Sequence, residues 1–513
     1  MKALQLFFSL KSIKEFIWPI KRDEIKKFLP MSLMYLFALF NYNALRSIKD
    51  SLIVPHIGAE ALSFVKLYLV VPSAVIFVLI YARLSNSFSL RVIYHQVAAF
   101  YIIFFLLFGF VIFPNLNFFH LEFDNFEELM RTEVDLLAFS VSLSHFKWFL
   151  LIFSKWSFSL FYILAELWGS SMMFLLFWQF ANQITFSEEA KRFYPMFGFI
   201  GGIGTFSAGV TVKLLFSMFE KMGGAENFTV ANMQILMVIV SLGTVVILLL
   251  FNKMNNMIQN NQIKYHHKIN QIKKKLPLRD SLKIVLSSKY LGYVVVLVLC
   301  YGFTINLLEG PWKNEVRKIY PESSSYMNFM GTLNILNGSV SMFFMLIGAS
   351  VLKKYSWFTA AIATPIIIFI TGTAFFLFVV FGEMNSAWLL SVFAIDPAFL
   401  AVVIGTAQNV LSKSTKYAFH DPTKEMTYIP IDEELKSKGK AAVDVLGARF
   451  SKSLGAFVQS SVFMIFPNST YSSISWILMI IFIAVAIVWM IDVKVLNKEY
   501  LKQVRLQDYK KLS

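Results

Sequence analysis

The chain has 513 residues, of which 57% are hydrophobic and only 15% charged, with 55 phenylalanines and a mean hydropathy of +0.62. Soluble domains run about 45–50% apolar and about 25% charged, and they have too little interior for so many rings, which excludes an ordinary water-soluble enzyme. The 47 Lys+Arg outnumber the 31 Asp+Glu and leave a net charge of +16; in a membrane protein that excess belongs first to cytoplasmic loops and second to polyanion binding, not to nucleic acid.

Crossing the hydrocarbon takes about 20 apolar residues. Runs free of Asp, Glu, Lys and Arg fall at 28–45, 67–82, 92–121, 193–212 and 227–252, and 156–187 is broken only by Glu166. They resume at 290–308, 323–352, 355–382, 397–412 and 453–491, the last long enough for two spans and divided at Pro467-Asn-Ser-Thr470. The pattern predicts an all-α membrane protein with about twelve transmembrane helices. Residues 1–27 carry seven Lys/Arg, 253–283 eight, and the tail after Asp492 six, whereas loop 122–146 holds Glu122, Asp124, Glu127, Glu128, Glu133 and Asp135 against Arg131. Basic loops stay cytoplasmic. The expected organisation is therefore a cytoplasmic N-terminus 1–27, a six-helix bundle 28–252, a cytoplasmic linker 253–286, a second six-helix bundle 287–491 and a cytoplasmic tail 492–513, in the cell (inner) membrane. Two six-helix halves joined this way are major-facilitator-like, with substrate expected between them near the midplane.

A charge within a span costs roughly 2.5–3.5 kcal/mol on insertion scales and usually faces a partner or a polar cavity. Arg46, Lys49 and Asp50 close the first span, and Lys66 opens the second ahead of Pro72. Glu166 lies inside the fourth, followed by Trp178-Gln-Phe-Ala-Asn182-Gln183; Glu309 ends the seventh in Leu308-Glu-Gly-Pro-Trp-Lys313. Lys440, Asp444, Arg449 and Lys452 enter the eleventh, with Lys440 and Asp444 spaced to pair and Arg449 and Lys452 on one face. Cations projecting into a membrane cavity suit a polyphosphate, Arg as a bidentate fork and Lys as a point charge. Glu166 and Glu309 would instead offset the cationic field, bond a sugar or base, or hold the cations in place between substrates. The plain alternatives are snorkelling for Arg46, Lys49, Asp50 and Lys66, and positive-inside decoration for Lys440. Trp168, Trp178 and Trp312 are read as interfacial belts or as surfaces on which a base stacks.

Other motifs carry little. Gly447-Ala-Arg-Phe-Ser-Lys-Ser453 misses a phosphate loop by one glycine and one residue, and it does not follow a strand. Gly198, Gly201, Gly202 and Gly204 sit in an apolar run, where Gly198 and Gly202 form a GxxxG packing pattern. His266-His267 lacks carboxylate company, and the single Cys300 provides neither a disulfide framework nor a zinc ligand set, so no metal or cofactor is expected. No nucleophile–base set points to an enzyme.

NYNALRSIKDSLIVPHIGAE, SFVKLYLVVPSAVIF, FKWFLLIFSKWSFSLFYILAELWGS, FWQFANQIT, EAKRFYPMFG, LEGPWKNEVRKIYP, AQNVLSKSTKYAFHDPTKEMTYIPID and KGKAAVDVLGARFSK resemble the non-mitochondrial ATP/ADP translocases. These are nucleotide transporters of plastids and obligate intracellular bacteria, and the rickettsial Tlc-type members look most similar. The resemblance runs from about residue 18 to 500. It implies a twelve-helix carrier that exchanges external nucleoside triphosphate for internal nucleotide without hydrolysis. It further implies key charges at Lys66 in SFVKLYL, Glu166 in AELWGS, Glu309 in LLEGPWK and Lys440 in KGKAAVD, the last lysine standing open between Lys440 and Lys452. Lys66, Lys440 and Lys452 are expected to hold phosphates, with Arg46 and Lys49 as a second tier. Where the family reads GKSGGA, this chain has Ser451-Lys-Ser-Leu-Gly-Ala456, so bulkier Ser451 and Leu454 are expected to loosen backbone approach there. Members differ in the base they carry, which leaves guanine or pyrimidine nucleotides, or more remotely another organic anion, as alternatives. Cations left uncompensated between substrates would oblige the carrier to return loaded.

Overall fold

The computed structural model describes residues 18–123, 125–136, 139–220, 225–260, 288–382, 396–431, 443 and 448–512. Twelve long helical segments follow in chain order: α1 Ile25–His56, α2 Ala61–Ser87, α3 Leu90–Phe119, α4 Trp156–Ile184, α5 Ser187–Glu220 and α6 Ala225–Gln259, then α7 Lys289–Ile319, α8 Ser323–Lys354, α9 Trp357–Gly382, α10 Pro397–Thr415 with its continuation to Met426, α11 Ala448–Ile465 and α12 Tyr471–Leu512. Ten of them are long and apolar enough to cross a membrane. The other two are the polar α10, with Gln408, Asn409 and Lys413, and α11, whose apolar run Ser453–Ile465 is short. Among the described residues one feature departs from an all-α chain: the acidic loop folds a small antiparallel ladder, Glu133–Leu136 against Phe139–Ser142.

Two compact units emerge. The first holds α1 through Arg46, Phe77–Pro114, and the chain from Leu164 through α6. Here α1 is locked by polar bonds that satisfy amides in an apolar setting: Asn41 Nδ2 donates to Val240 O at 2.9 Å and Thr244 Oγ1 at 3.1 Å, and Asn43 Nδ2 to Thr205 Oγ1 at 3.0 Å. The glycine run of α5 does pack closely, but the contacts with α1 are made by Gly201, against Leu39 and Tyr35, and Gly204, against the Leu36 carbonyl.

The second unit holds Ser47–Ile76, Asn115–Ile163 and α7 onward. The last carbonyls of α1 carry partial negative charge and attract cations: Lys155 Nζ donates to His56 O at 2.8 Å and Arg317 to Pro55 O at 3.2 Å. The chain then turns at Gly58 (φ +142°), where a side chain would be strained and would meet the Trp148 ring at 2.9 Å. Two residues on, Glu60 Oε1 accepts the Tyr471 N–H at 3.2 Å, so a buried carboxylate caps the positive end of α12. On α11, Ser451 seats directly on Gly302 of α7, and Gly455 packs against Asn306 Cβ, where an added carbon would lie 2.6 Å away. The expected loosening is therefore not seen, because the absent side chain is on the facing helix.

Among the described residues, four helices widen into π turns. Val65–Val70 precedes Pro72, which offers no N–H to the Tyr68 carbonyl, and the wider turn absorbs the defect. Gly169–Phe177 in α4 has another cause: Ser170 Oγ donates to Glu166 O at 3.1 Å and Ser171 Oγ to Leu167 O at 2.7 Å, taking carbonyls the backbone would use. Gly169 also has to lack a side chain, since the Tyr42 ring lies 2.6 Å from where Cβ would be. The others are Phe108–Ile112 in α3 and Lys416–His420, which prolongs α10.

Beyond the end of α3, His120 Nε2 lies 2.6 Å from Ser157 Oγ. Burial, helped by Lys155, lowers its pKa from 6.5 to about 4. Between those values the unfolded chain takes up a proton that the folded one refuses, so stability falls as pH drops through this window. Thermal unfolding of the detergent-purified chain should show a midpoint declining from pH 6.5 toward 4, with a shallower decline in His120→Gln.

Candidate substrate site

In the second unit, charges from α1, α2 and α7 alternate in sign along one line. Lys49 Nζ is 3.1 Å from Asp50 Oδ1, and Asp50 Oδ2 is 2.8 Å from Lys313 Nζ. Lys313 Nζ is also 2.8 Å from Glu309 Oε1, whose other oxygen, Oε2, is 2.6 Å from Lys66 Nζ. Each carboxylate bridges two cations with its two oxygens. Three lysines against two carboxylates leave an excess of one positive charge.

Helical spacing builds half of this line. Glu309 and Lys313 are one turn apart on α7, on either side of Pro311. Lys49 and Asp50 are sequence neighbours that diverge around α1, so Lys49 turns onto the face of the buried Tyr162 ring, 3.8 Å from its centroid. Lys66 comes from the π turn of α2. Exposure is graded: the side chains of Lys49, Asp50 and Lys313 are 1–3% exposed, Glu309 11% and Lys66 21%. The solvent-reached end is therefore the Lys66–Glu309 pair.

A second network joins at Asn306. Its Oδ1 lies 3.4 Å from Lys66 Nζ, and its backbone carbonyl accepts from Gln459 Nε2 at 2.8 Å. Gln459 Oε1 accepts from Tyr471 Oη at 2.6 Å, and Tyr471 N–H is held by Glu60. The ion line is thus tied to α11 and α12 by buried neutral groups.

Of the residues flagged in the sequence, Lys49, Lys66, Glu309 and Lys313 come together. Asp50, noted only as closing the first span, is the carboxylate that joins α1 to α7. Its place next to Lys49 at the end of an apolar run was the available signal. Tyr162, Asn306, Gln459 and Tyr471 carried no such signal. Arg46, Glu166 and Asn182 belong to the first unit: Arg46 and Glu166 are half-buried, and exposed Asn182 accepts from Tyr194 Oη at 2.6 Å. Lys440 and Asp444 lie outside the described residues, as do the side chains of Arg449 and Lys452 at the start of α11. The tryptophan readings are corrected for two rings: Trp168 is fully buried and Trp312 is 3% exposed against Gly405, so neither is free to stack a base or to sit in a belt. Lys66 is not an uncompensated cation either. The carboxylate that holds it, Glu309, matches the alternative in which acids keep the lysines in place.

Because the line is buried, an unpartnered member costs about 3–5 kcal/mol. Asp50→Asn removes the carboxylate shared by Lys49 and Lys313 and leaves Glu309 to serve both Lys313 and Lys66, whereas Lys313→Met leaves the pairs Lys49–Asp50 and Lys66–Glu309. Thermal unfolding should show Asp50→Asn as the more damaging single change. The double variant should recover stability relative to Asp50→Asn alone, with a coupling of about 1–3 kcal/mol in the cycle.

A bacterial homologue of the iron transporter ferroportin, solved in an inward-facing state, aligns over 92% of this chain and all of its own, with a TM-score of 0.58 at 15% identity. The xylose transporter XylE from E. coli aligns over 91% of this chain and 95% of its own, with a TM-score of 0.52 at 13% identity. The fold is accordingly that of major-facilitator-like transporters. In sequence, the chain is 43% identical over 504 residues to ADP,ATP carrier protein 3 of Rickettsia bellii, covering 96% of this chain and 97% of that protein. The model of the TLC ATP/ADP transporter family matches residues 7–500, and this multi-pass membrane transporter belongs to that family.

Proposed function

We propose that the protein exchanges external nucleoside triphosphate, ATP in the first instance, for internal ADP or another nucleotide, by alternating access of the halves 28–252 and 287–491 and without hydrolysis. The observation that carries this reading is the Lys66–Glu309 pair at the solvent-reached end of a buried ion line, in a member of an ATP/ADP transporter family. A nucleotide phosphate presents several anionic oxygens and competes with Glu309 for Lys66. When phosphate takes the lysine, Glu309 keeps Lys313, so no carboxylate is stranded by the swap. Substrate binding is then an exchange of anions on one cation, which limits the desolvation that binding requires. Lys440, Lys452, Arg449 and Arg46 are proposed as further phosphate contacts and Glu166 and Asn182 as polar partners of ribose or base. The excess of basic loops at 1–27, 253–286 and 492–513 supports cytoplasmic termini in the cell membrane.

The experiment is uptake of labelled ATP by intact expressing cells, competed by every unlabelled nucleotide in turn, with chemical recovery of the label. Unaltered label displaced by ATP and ADP supports the reading. Displacement by guanine or pyrimidine nucleotides alone reassigns the base, and altered label refutes exchange without chemistry. Lys66→Ala should reduce uptake at least tenfold and Lys66→Arg much less, while Glu309→Gln, which relaxes the competition for Lys66, should lower KM for ATP and slow turnover. Unchanged uptake in Lys66→Ala removes that lysine from the path.

A further inference from the structure

Within the first unit, a cleft of about 590 Å³ opens between the start of α1 and the last turns of α6. Lys26 lines one side. Lys253 and the row Asn252, Asn256 and Asn260, each one turn beyond the last, line the other, with Leu249 at the apolar end. We propose that this cleft holds the headgroup of an anionic glycerophospholipid.

Charge is the first reason. Nearby cations of α1 and α5 are already matched, Lys27 with Glu189 at 2.5 Å and Arg192 with Glu24. Lys26 and Lys253 have no carboxylate partner among the described residues, and both face the same cleft. Two unmatched lysines there select an anion.

The amides supply the second reason. His95 Nδ1 lies 2.7 Å from Arg91 O, which makes it the donor and leaves Nε2 to accept from Asn252 Nδ2 at 3.0 Å. Asn252 is thereby oriented, while Asn256 and Asn260 beyond it are exposed along the cleft, where each side chain offers both N–H donors and a carbonyl acceptor. A bare phosphate is acceptor-only and leaves those carbonyls unused. A headgroup carrying a hydroxyl donor uses them while the phosphate meets the lysines.

Position is the third reason. Leu249, 62% exposed, stands one turn before the asparagines, so the cleft runs from an outward apolar surface into a cationic polar pocket as α6 leaves its apolar run. An acyl chain along Leu249 and a headgroup at Lys253 follow that gradient, and this favours a lipid over free phosphate.

Native mass spectrometry of the detergent-purified full chain tests this with three probes: dioleoylphosphatidylglycerol, dioleoylphosphatidylcholine and inorganic phosphate. Phosphatidylglycerol should bind as one retained molecule at about tenfold lower concentration than phosphatidylcholine, and millimolar inorganic phosphate should not displace it. Each lysine near an anionic headgroup contributes about fivefold, so Lys26→Gln/Lys253→Gln should weaken phosphatidylglycerol about 25-fold. Lys26→Arg/Lys253→Arg should retain it, as should Lys354→Gln, an exposed lysine of α8. Equal affinity of the wild-type chain for the two lipids overturns the proposal, and so does displacement by inorganic phosphate or an unaffected glutamine pair. Should the glutamine pair fail to fold, the wild-type contrast and the arginine pair decide the matter.

Discussion

Taking a charge out of water costs several kcal/mol unless an opposite charge and further polar contacts replace the solvent. The line Lys49–Asp50–Lys313–Glu309–Lys66 meets that requirement by giving each carboxylate two cations, and the rest of the second unit is arranged to keep it so. It fixes α1, α2 and α7 against one another. Through Asn306, Gln459 and Tyr471 it also engages α11 and α12, and Glu60 anchors the far end of that network. The line draws on three helices, so the arrangement is a property of assembled helices and is lost if one of them moves alone.

Two of the wide turns lie beside charges already named. Lys66 belongs to one set by Pro72, and Glu166 stands three residues before another set by Ser170 and Ser171. In both cases side-chain chemistry, a missing N–H or an intruding hydroxyl, disturbs the backbone ladder. Wide turns of this kind concentrate at sites where a helix must aim a residue off its regular face.

Hydropathy alone delimited the helices well, because membrane spans differ so sharply from loops in charge. Glu309 and Lys313 stand at i and i+4 on α7, a spacing that the sequence itself contains. Lys66 and Glu309 are 243 residues apart, and their meeting depends on helix packing that no local pattern encodes. Trp168 and Trp312 misled because a large ring in a span reads alike whether it faces lipid, substrate or protein. Ser451 misled for a related reason: the room it needs is supplied by Gly302, on another helix. Tyr162, Gln459 and Tyr471 were invisible since a neutral polar residue matters only through what it touches.

The wide stretch Gly169–Phe177 changes how α4 should be read. Successive residues of an α-helix advance by about 100° around the axis, and a looser winding turns through less. A helical wheel drawn straight from Trp156 to Ile184 therefore drifts out of phase after Gly169, and assigns Trp178 and Asn182 to the wrong sides of the rod. Any labelling scan of this segment has to be interpreted as two short cylinders with a phase offset, one ending near Glu166 and the other beginning at Trp178.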